Sequence, residues 1–177
     1  MSDALVPASG KSCGTCTLCC KVYEVPVLEK ASGKWCSHCK PGKGCGIWEA
    51  RPQFCRDFHC RYIVDPNLGP QWRPDVCKFV MNYQPNGTFA IACDPGVRHA
   101  WKTEPYYAGI KRIARQLLEN GITTYVVDGV NKIIVTPDED VVACSAHETP
   151  DFEIFKVERG SHVSWRVEIR RSTHAAA

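Results

Sequence analysis

Nine of the twelve cysteines of this 177-residue chain fall within residues 13–60, and that crowding constrains the fold more than any other feature of the sequence. The nine are Cys13, Cys16, Cys19, Cys20, Cys36, Cys39, Cys45, Cys55 and Cys60, interspersed with Gly, Pro, Lys and a few aromatics. A segment of this composition has little apolar surface to bury, so it needs a metal or cross-links to hold one fold. Cys77, Cys93 and Cys144 lie outside it.

Which staple is used depends on the compartment. Residues 1–10 contain Asp3 and Pro7 and show no basic start followed by an apolar stretch, so they do not read as a secretory signal. No 18-residue apolar run is present, which excludes a membrane-spanning helix. The expected location is therefore cytoplasmic, where thiols stay reduced and clustered cysteines point to metal rather than disulfides. Residues 1–60 carry eight Lys and Arg against five Asp and Glu, and the remainder is balanced. So small an excess is not the footprint of a nucleic-acid partner. It suits the neutralisation of thiolates, since a four-thiolate zinc site is net negative. A metal ion is thus the expected partner, and no protein partner can be named.

The first cysteine block is C-x2-C-x2-C-C at residues 13–20. Two intervening residues let both thiolates converge on one ion while backbone N–H groups of the loop donate to sulfur. A bond between the adjacent Cys19 and Cys20 would be strained, so they are expected to serve different roles or sites. Cys36, Cys39 and Cys45, then Cys55 and Cys60, complete nine candidate ligands, with His38 and His59 as further donors. Four ligands close a tetrahedral zinc or a cubane cluster, so the surplus favours two centres. Zinc is preferred as the cofactor and an iron–sulfur centre is the alternative. Arg51 and Arg56 are placed to offset thiolate charge, or are ordinary surface charges. Pro52 suits the start of a short helix carrying Phe54, Cys55 and Phe58, and these rings with Trp48 could exclude water from the site.

The motif C-x2-C-x2-C-C, a Cys ahead of a Gly-Cys pair, then Ile47-Trp48-x-x-Arg51-Pro52-x-x-Cys55-Arg56-x-Phe58-x-Cys60, resembles the YkgJ-like cysteine-cluster family of zinc- or iron-chelating proteins. The resemblance covers about a quarter of the chain, with Arg73-Pro74-Asp75 just beyond it. Cys39 is additional to the family set, and Trp48 stands where Tyr is more usual. What the resemblance implies is a metal or cluster site. A flagellin lysine N-methylase carries such a cluster in a longer chain, but no glycine-rich nucleotide turn is found here, so methyl transfer is not carried over. The expected function is a metal-binding protein holding zinc or an iron–sulfur centre. The alternative is a redox enzyme, or an accessory of a modification enzyme such as protein methylation, that uses an iron–sulfur cluster.

Beyond the cysteines the pattern becomes that of an ordinary α+β chain. Residues 76–83 and 88–93 flank Pro85-Asn86-Gly87 as a hairpin. Residues 105–120 repeat apolar positions at helical spacing, with Gly121 as the stop and Lys111, Arg112 and Arg115 on a solvated face. Residues 124–127 and 132–136 surround Asp128-Gly129, and 152–157 and 164–170 surround Arg159-Gly160-Ser161, giving two more strand pairs. Cys77 and Cys93 sit in apolar runs and are expected to be buried. Cys144 and His147 are neighbours in sequence only, which is poor evidence for a nucleophile and base, and His99, His162 and His174 show no ligand spacing. The expected fold is α+β, a small metal-stapled Cys-rich module packed on an antiparallel sheet with one main helix. The expected organisation is a flexible stretch at 1–12, the module at 13–75, the sheet portion at 76–171 and a tail at 172–177.

Overall fold

The computed structural model describes residues 7–170, so the first half of the expected flexible start, and the whole of the tail, lie outside the described residues. The chain is α+β with one long helix, as the sequence leads one to expect. Its centre is a five-stranded sheet in the order β3 (Phe79–Tyr83), β4 (Phe89–Cys93), β5 (Thr124–Val127), β6 (Asn131–Val135) and β7 (Asp140–Ser145). Three of the four pairings are antiparallel, but β4 and β5 run parallel, which a purely antiparallel sheet does not allow. The crossover between them carries the long helix α5 (Tyr106–Glu119), as a parallel pair requires. Gly121, at φ +74, closes the helix, and the Ile122 amide donates to the Leu117 carbonyl.

The β3–β4 hairpin forms with Tyr83 opposite Phe89 and Phe79 opposite Cys93. Gly87 supplies the positive φ, while Asn86 accepts from the Thr88 amide through its side chain. The first strand starts later than the apolar run suggests. Val76 and Cys77 belong to a helical turn, α4 (Pro74–Cys77), which spans the expected 75/76 boundary and ends at Lys78 in the left-handed region. Strand β7 was not anticipated, although Val141 and Val142 are β-formers.

The strands β8 (Phe152–Arg159) and β9 (His162–Ile169) pair as expected but form a sheet of their own. Carboxylates of the β6–β7 turn hold it. Asp138 accepts from the Trp165 amide at 2.7 Å and Glu139 from the Val167 amide at 2.6 Å. Lys111 is also not solvated as expected. It is drawn in between Asp140 Oδ1 at 2.6 Å and the Thr136 carbonyl at 2.8 Å, tying α5 to the same turn, while Arg112 and Arg115 stay exposed.

The sheet is buried on both faces near β3 and β4, and the two-residue period of a strand assigns the faces. Phe79, Met81, Phe89, Ile91 and Cys93 face α5, Trp72 and Trp101 in the main core. Val80 and its partner Ala92 face the other way, against Leu18 and Val22 and the half-buried Cys16, Cys19, Tyr23, Phe58 and Cys60. The Cys-rich segment is therefore docked on the sheet face opposite the long helix. Cys77 and Cys93 are buried, as their apolar surroundings lead one to expect.

Candidate metal centre

All twelve cysteines are free thiols. The turn at Cys13 is closed by the Cys16 amide donating to the Cys13 carbonyl at 2.8 Å, with Gly14 at φ +49. Thr17 and Leu18 then dive into the protein, and the single-turn helix α1 (Cys19–Val22) anchors on Val80 through Val22. This anchoring sets Cys16 and Cys19 against the sheet. Cys60 arrives from the far end of the segment, just before α3 (Arg61–Val64), whose Ile63 amide donates to the Cys60 carbonyl.

Cys13, Cys16, Cys19 and Cys60 line one small cavity with Arg73, Pro74 and Val80. Its free volume is about 20 Å³, room for one water-sized occupant. The Tyr62 and Ile63 amides act to lower the Cys60 thiol, and those of Leu18 and Asp75 act to lower Cys16. Burial nevertheless outweighs them, and with repulsion from Cys16 and Cys13 it pushes Cys60 up to about 12. Burial likewise raises Cys16, and burial with repulsion from Cys16 raises Cys13. Arg73 guards the mouth. Its Nη2 donates to Thr15 Oγ1 at 2.8 Å and to the Cys13 carbonyl at 3.4 Å, while Nε pairs with Asp75 at 3.0 Å.

A second set of thiols adjoins the first. The Cys36 amide donates to the Cys20 carbonyl at 3.1 Å and the Cys39 amide to the Cys36 carbonyl at 3.0 Å. Two short strands, β1 (Cys39–Lys40) and β2 (Gly44–Cys45), place Cys39 opposite Cys45. The Cys20 thiol is driven far above the ordinary thiol range, first by its contact with Cys19 and then by burial. Burial, then the charge of Cys20, pushes Cys39 up to about 11. Cys55, on α2 (Gln53–Asp57), is raised by burial and then by Cys20, Cys36 and Cys45, against a lowering influence from Arg51.

Cys13, Cys16, Cys19 and Cys60 thus line one cavity, Cys20, Cys36, Cys39, Cys45 and Cys55 lie beside it, and the contact between Cys20 and Cys19 joins the two sets. Burial and mutual repulsion push Cys13, Cys16, Cys20, Cys39, Cys55 and Cys60 towards the protonated form while only protein groups surround them. A cation that displaced those protons would supply the attraction that four mutually repelling thiolates lack. Among the described residues, no three His, Cys, Asp or Glu side chains already stand in an arrangement that would hold a metal ion. The donor set nevertheless fits a thiophilic ion: soft sulfur donors, amides aimed at sulfur, and guanidinium groups nearby.

Other expectations are redistributed. His38 is exposed, and His59 Nδ1 lies 2.7 Å from the Asp57 carbonyl oxygen beside a different cavity, lined with Arg61, Asn82 and Tyr83. Arg56 does not face sulfur. It grips the carbonyls of Arg51 and Glu49 and so shapes the loop that presents Cys55. Trp48 and Phe54 are 49% and 51% exposed and shield nothing, whereas Phe58 packs on Tyr23 with ring centroids 4.9 Å apart. Arg51 stacks over Trp48 at 3.5 Å. The Cys144 thiol points to the Glu148 carbonyl at 3.6 Å.

Sequence reasoning missed Lys30, which is buried beside the second group, and Tyr23, whose hydroxyl joins the segment to the sheet through Asn82. No spacing signal marks either of them. No protein-family model matches the chain, and neither a curated protein nor a solved structure does.

Proposed function

We propose that this chain is a metal-binding protein whose clustered thiolates hold zinc, or alternatively an iron–sulfur centre, in two neighbouring sites. Cys13, Cys16, Cys19 and Cys60 would serve one site, and Cys20, Cys36, Cys55 and one of Cys39 and Cys45 the other. The observation that carries this reading is the convergence of Cys60 on the Cys13–Cys19 loop in a cavity that fits one small occupant. Local chain geometry does not bring residues 41 positions apart together, so the presence of Cys60 in the same cavity lining as the Cys13–Cys19 loop supports this reading. Thiolates serving as ligands would need a reducing compartment such as the cytoplasm. No described helix is long and apolar enough to cross a membrane. The YkgJ-like motif points to the same chemistry.

Bound zinc would cross-link the core-poor segment and contribute to its folding, whereas an iron–sulfur centre would add one-electron chemistry. Residues of the chain would do the rest. Backbone amides at Cys16 and Cys60 orient sulfur, and Arg51 and Arg73 offset its charge. Anaerobic purification followed by elemental analysis and a visible spectrum tests the proposal. A colourless protein with about two zinc ions per chain supports the preferred form, and a coloured protein with iron and sulfide supports the alternative. Protein that retains neither and takes up neither overturns it.

A further inference from the structure

Lys30 is 6% exposed, an unusual place for an ammonium group. Its backbone pairs with Val25 in both directions, and the left-handed Glu29 just before it turns the side chain inward. There Nζ donates to the carbonyls of Lys21, at 2.7 Å, and of Tyr23. Both acceptors are neutral, and no Asp or Glu among the described residues forms an ion pair with it. Burying a cation without an anion is costly, so burial disfavours the charged form of Lys30, and the strongest influences acting the other way come from Cys20, Cys36, Cys19 and Cys55. Those are thiols of the second group and one bridging thiol of the first.

We propose that Lys30 is the counter-ion built into the second metal site, a buried positive charge that is satisfied when Cys20, Cys36 and Cys55 become thiolates around a metal. Two observations converge on it. The ammonium is held by the carbonyl of Lys21, next to Cys20, and by that of Tyr23, which caps the helical turn carrying Cys20. In addition, a four-thiolate site is net negative, and a cation fixed in a buried position lowers the cost of that charge more than a solvated surface lysine can. Arg73 serves the Cys13 side and the half-buried Arg51 acts on Cys13 and Cys55 alike, so Lys30 adds a buried cation beside Cys20. The inference rests on the metal-binding reading and adds to it a residue outside the cysteine set.

The test uses the full chain and three proteins: native, Lys30→Arg, which keeps the charge, and Lys30→Gln, which keeps a donor for the two carbonyls but removes the charge. Zinc is titrated into each against a chromophoric chelator, and circular dichroism with zinc stoichiometry is recorded in parallel. The expected result is two zinc equivalents in the native and Arg proteins. In the Gln protein one equivalent should be weakened about 10- to 100-fold, the range for residues that support metal ligands, and the other unchanged. Equal affinity in the Gln and native proteins overturns the inference, as does equal weakening in both variants, which would make Lys30 a packing group only. A native chain that takes up neither zinc nor iron with sulfide overturns the metal reading and this inference together, so the two failures are told apart by the native protein alone.

Discussion

Gly109 of the long helix lies directly under the indole of Trp72, so close that a Cβ at this position would stand 2.5 Å from Cζ2 and 2.6 Å from Cη2. The contact sits in the core that α5 shares with the sheet, where Trp72 also meets Phe79 and Tyr106 edge-on. Replacing Gly109 with Ala raises helix propensity by about 1 kcal/mol. It also forces the rigid indole aside, at a cost of about 1–3 kcal/mol. The expected outcome is a lower unfolding midpoint for Gly109→Ala, measured by denaturant titration. A more stable variant would show that Trp72 can move freely.

Tyr23 carries the Cys-rich segment onto the sheet through its hydroxyl, which donates to Asn82 Oδ1 at 2.5 Å. Tyr23→Phe leaves that buried oxygen without its donor, and an unsatisfied group of this kind costs about 1–3 kcal/mol. Metal content should be unchanged, because the ring remains packed on Phe58. Thermal melting beside elemental analysis checks both halves of the prediction.

Cys13→Ser and Cys55→Ser are expected to remove different metal equivalents, since the two thiols belong to different groups. Each variant should retain about half the native metal and the double variant close to none. Cys144→Ser, on the distant strand β7, should retain it all. Loss of the whole content in either single variant would replace two sites with one shared site.

Two carboxylates link stability to acid. Burial acts to raise Asp94, but the Lys21 ammonium at 2.6 Å and the Gly96 amide hold it below its ordinary 3.8. Asp128 is likewise held low, despite burial, by the Asn131 and Val130 amides and Arg98. A folded value below the unfolded one means that the folded state favours the charged form. The stability this contributes is complete above about pH 4 and fades as pH falls through the lower folded values. Asp94→Asn and Asp128→Asn should therefore be less stable than the native chain at neutral pH, with the gap narrowing under acid. Urea midpoints across a pH series measure it, and a gap independent of pH would contradict the assignment.

Much of the architecture was legible in the chain because it follows from local rules. The period of 3.6 over Tyr107, Ile110, Ala114 and Leu117, ended by Gly121, specifies α5. The turn residues Asn86-Gly87 and Asp128-Gly129 place two hairpins, and the cysteine spacing makes a thiol-rich segment unavoidable. The parallel pairing of β4 with β5 was not legible, because it depends on where a crossover lands rather than on any local pattern. The separation of β8 and β9 from the main sheet depends on where Asp138 and Glu139 offer their carboxylates.

Within the candidate site, the sequence by itself determined which residues could hold a metal, since sulfur chemistry belongs to the side chain wherever it lies. Only the tertiary structure decided how those residues divide. Val80 and Ala92, alternate residues of paired strands, turn their side chains away from the main core and seat Leu18 and Val22. That seating fixes α1, sets Cys19 in the cavity lining with Cys20 between it and Cys39, and buries Lys30 beneath the same turn. Burial and long-range electrostatics arise from the whole packed chain, so no reading of residue spacing could have assigned Lys30 a role.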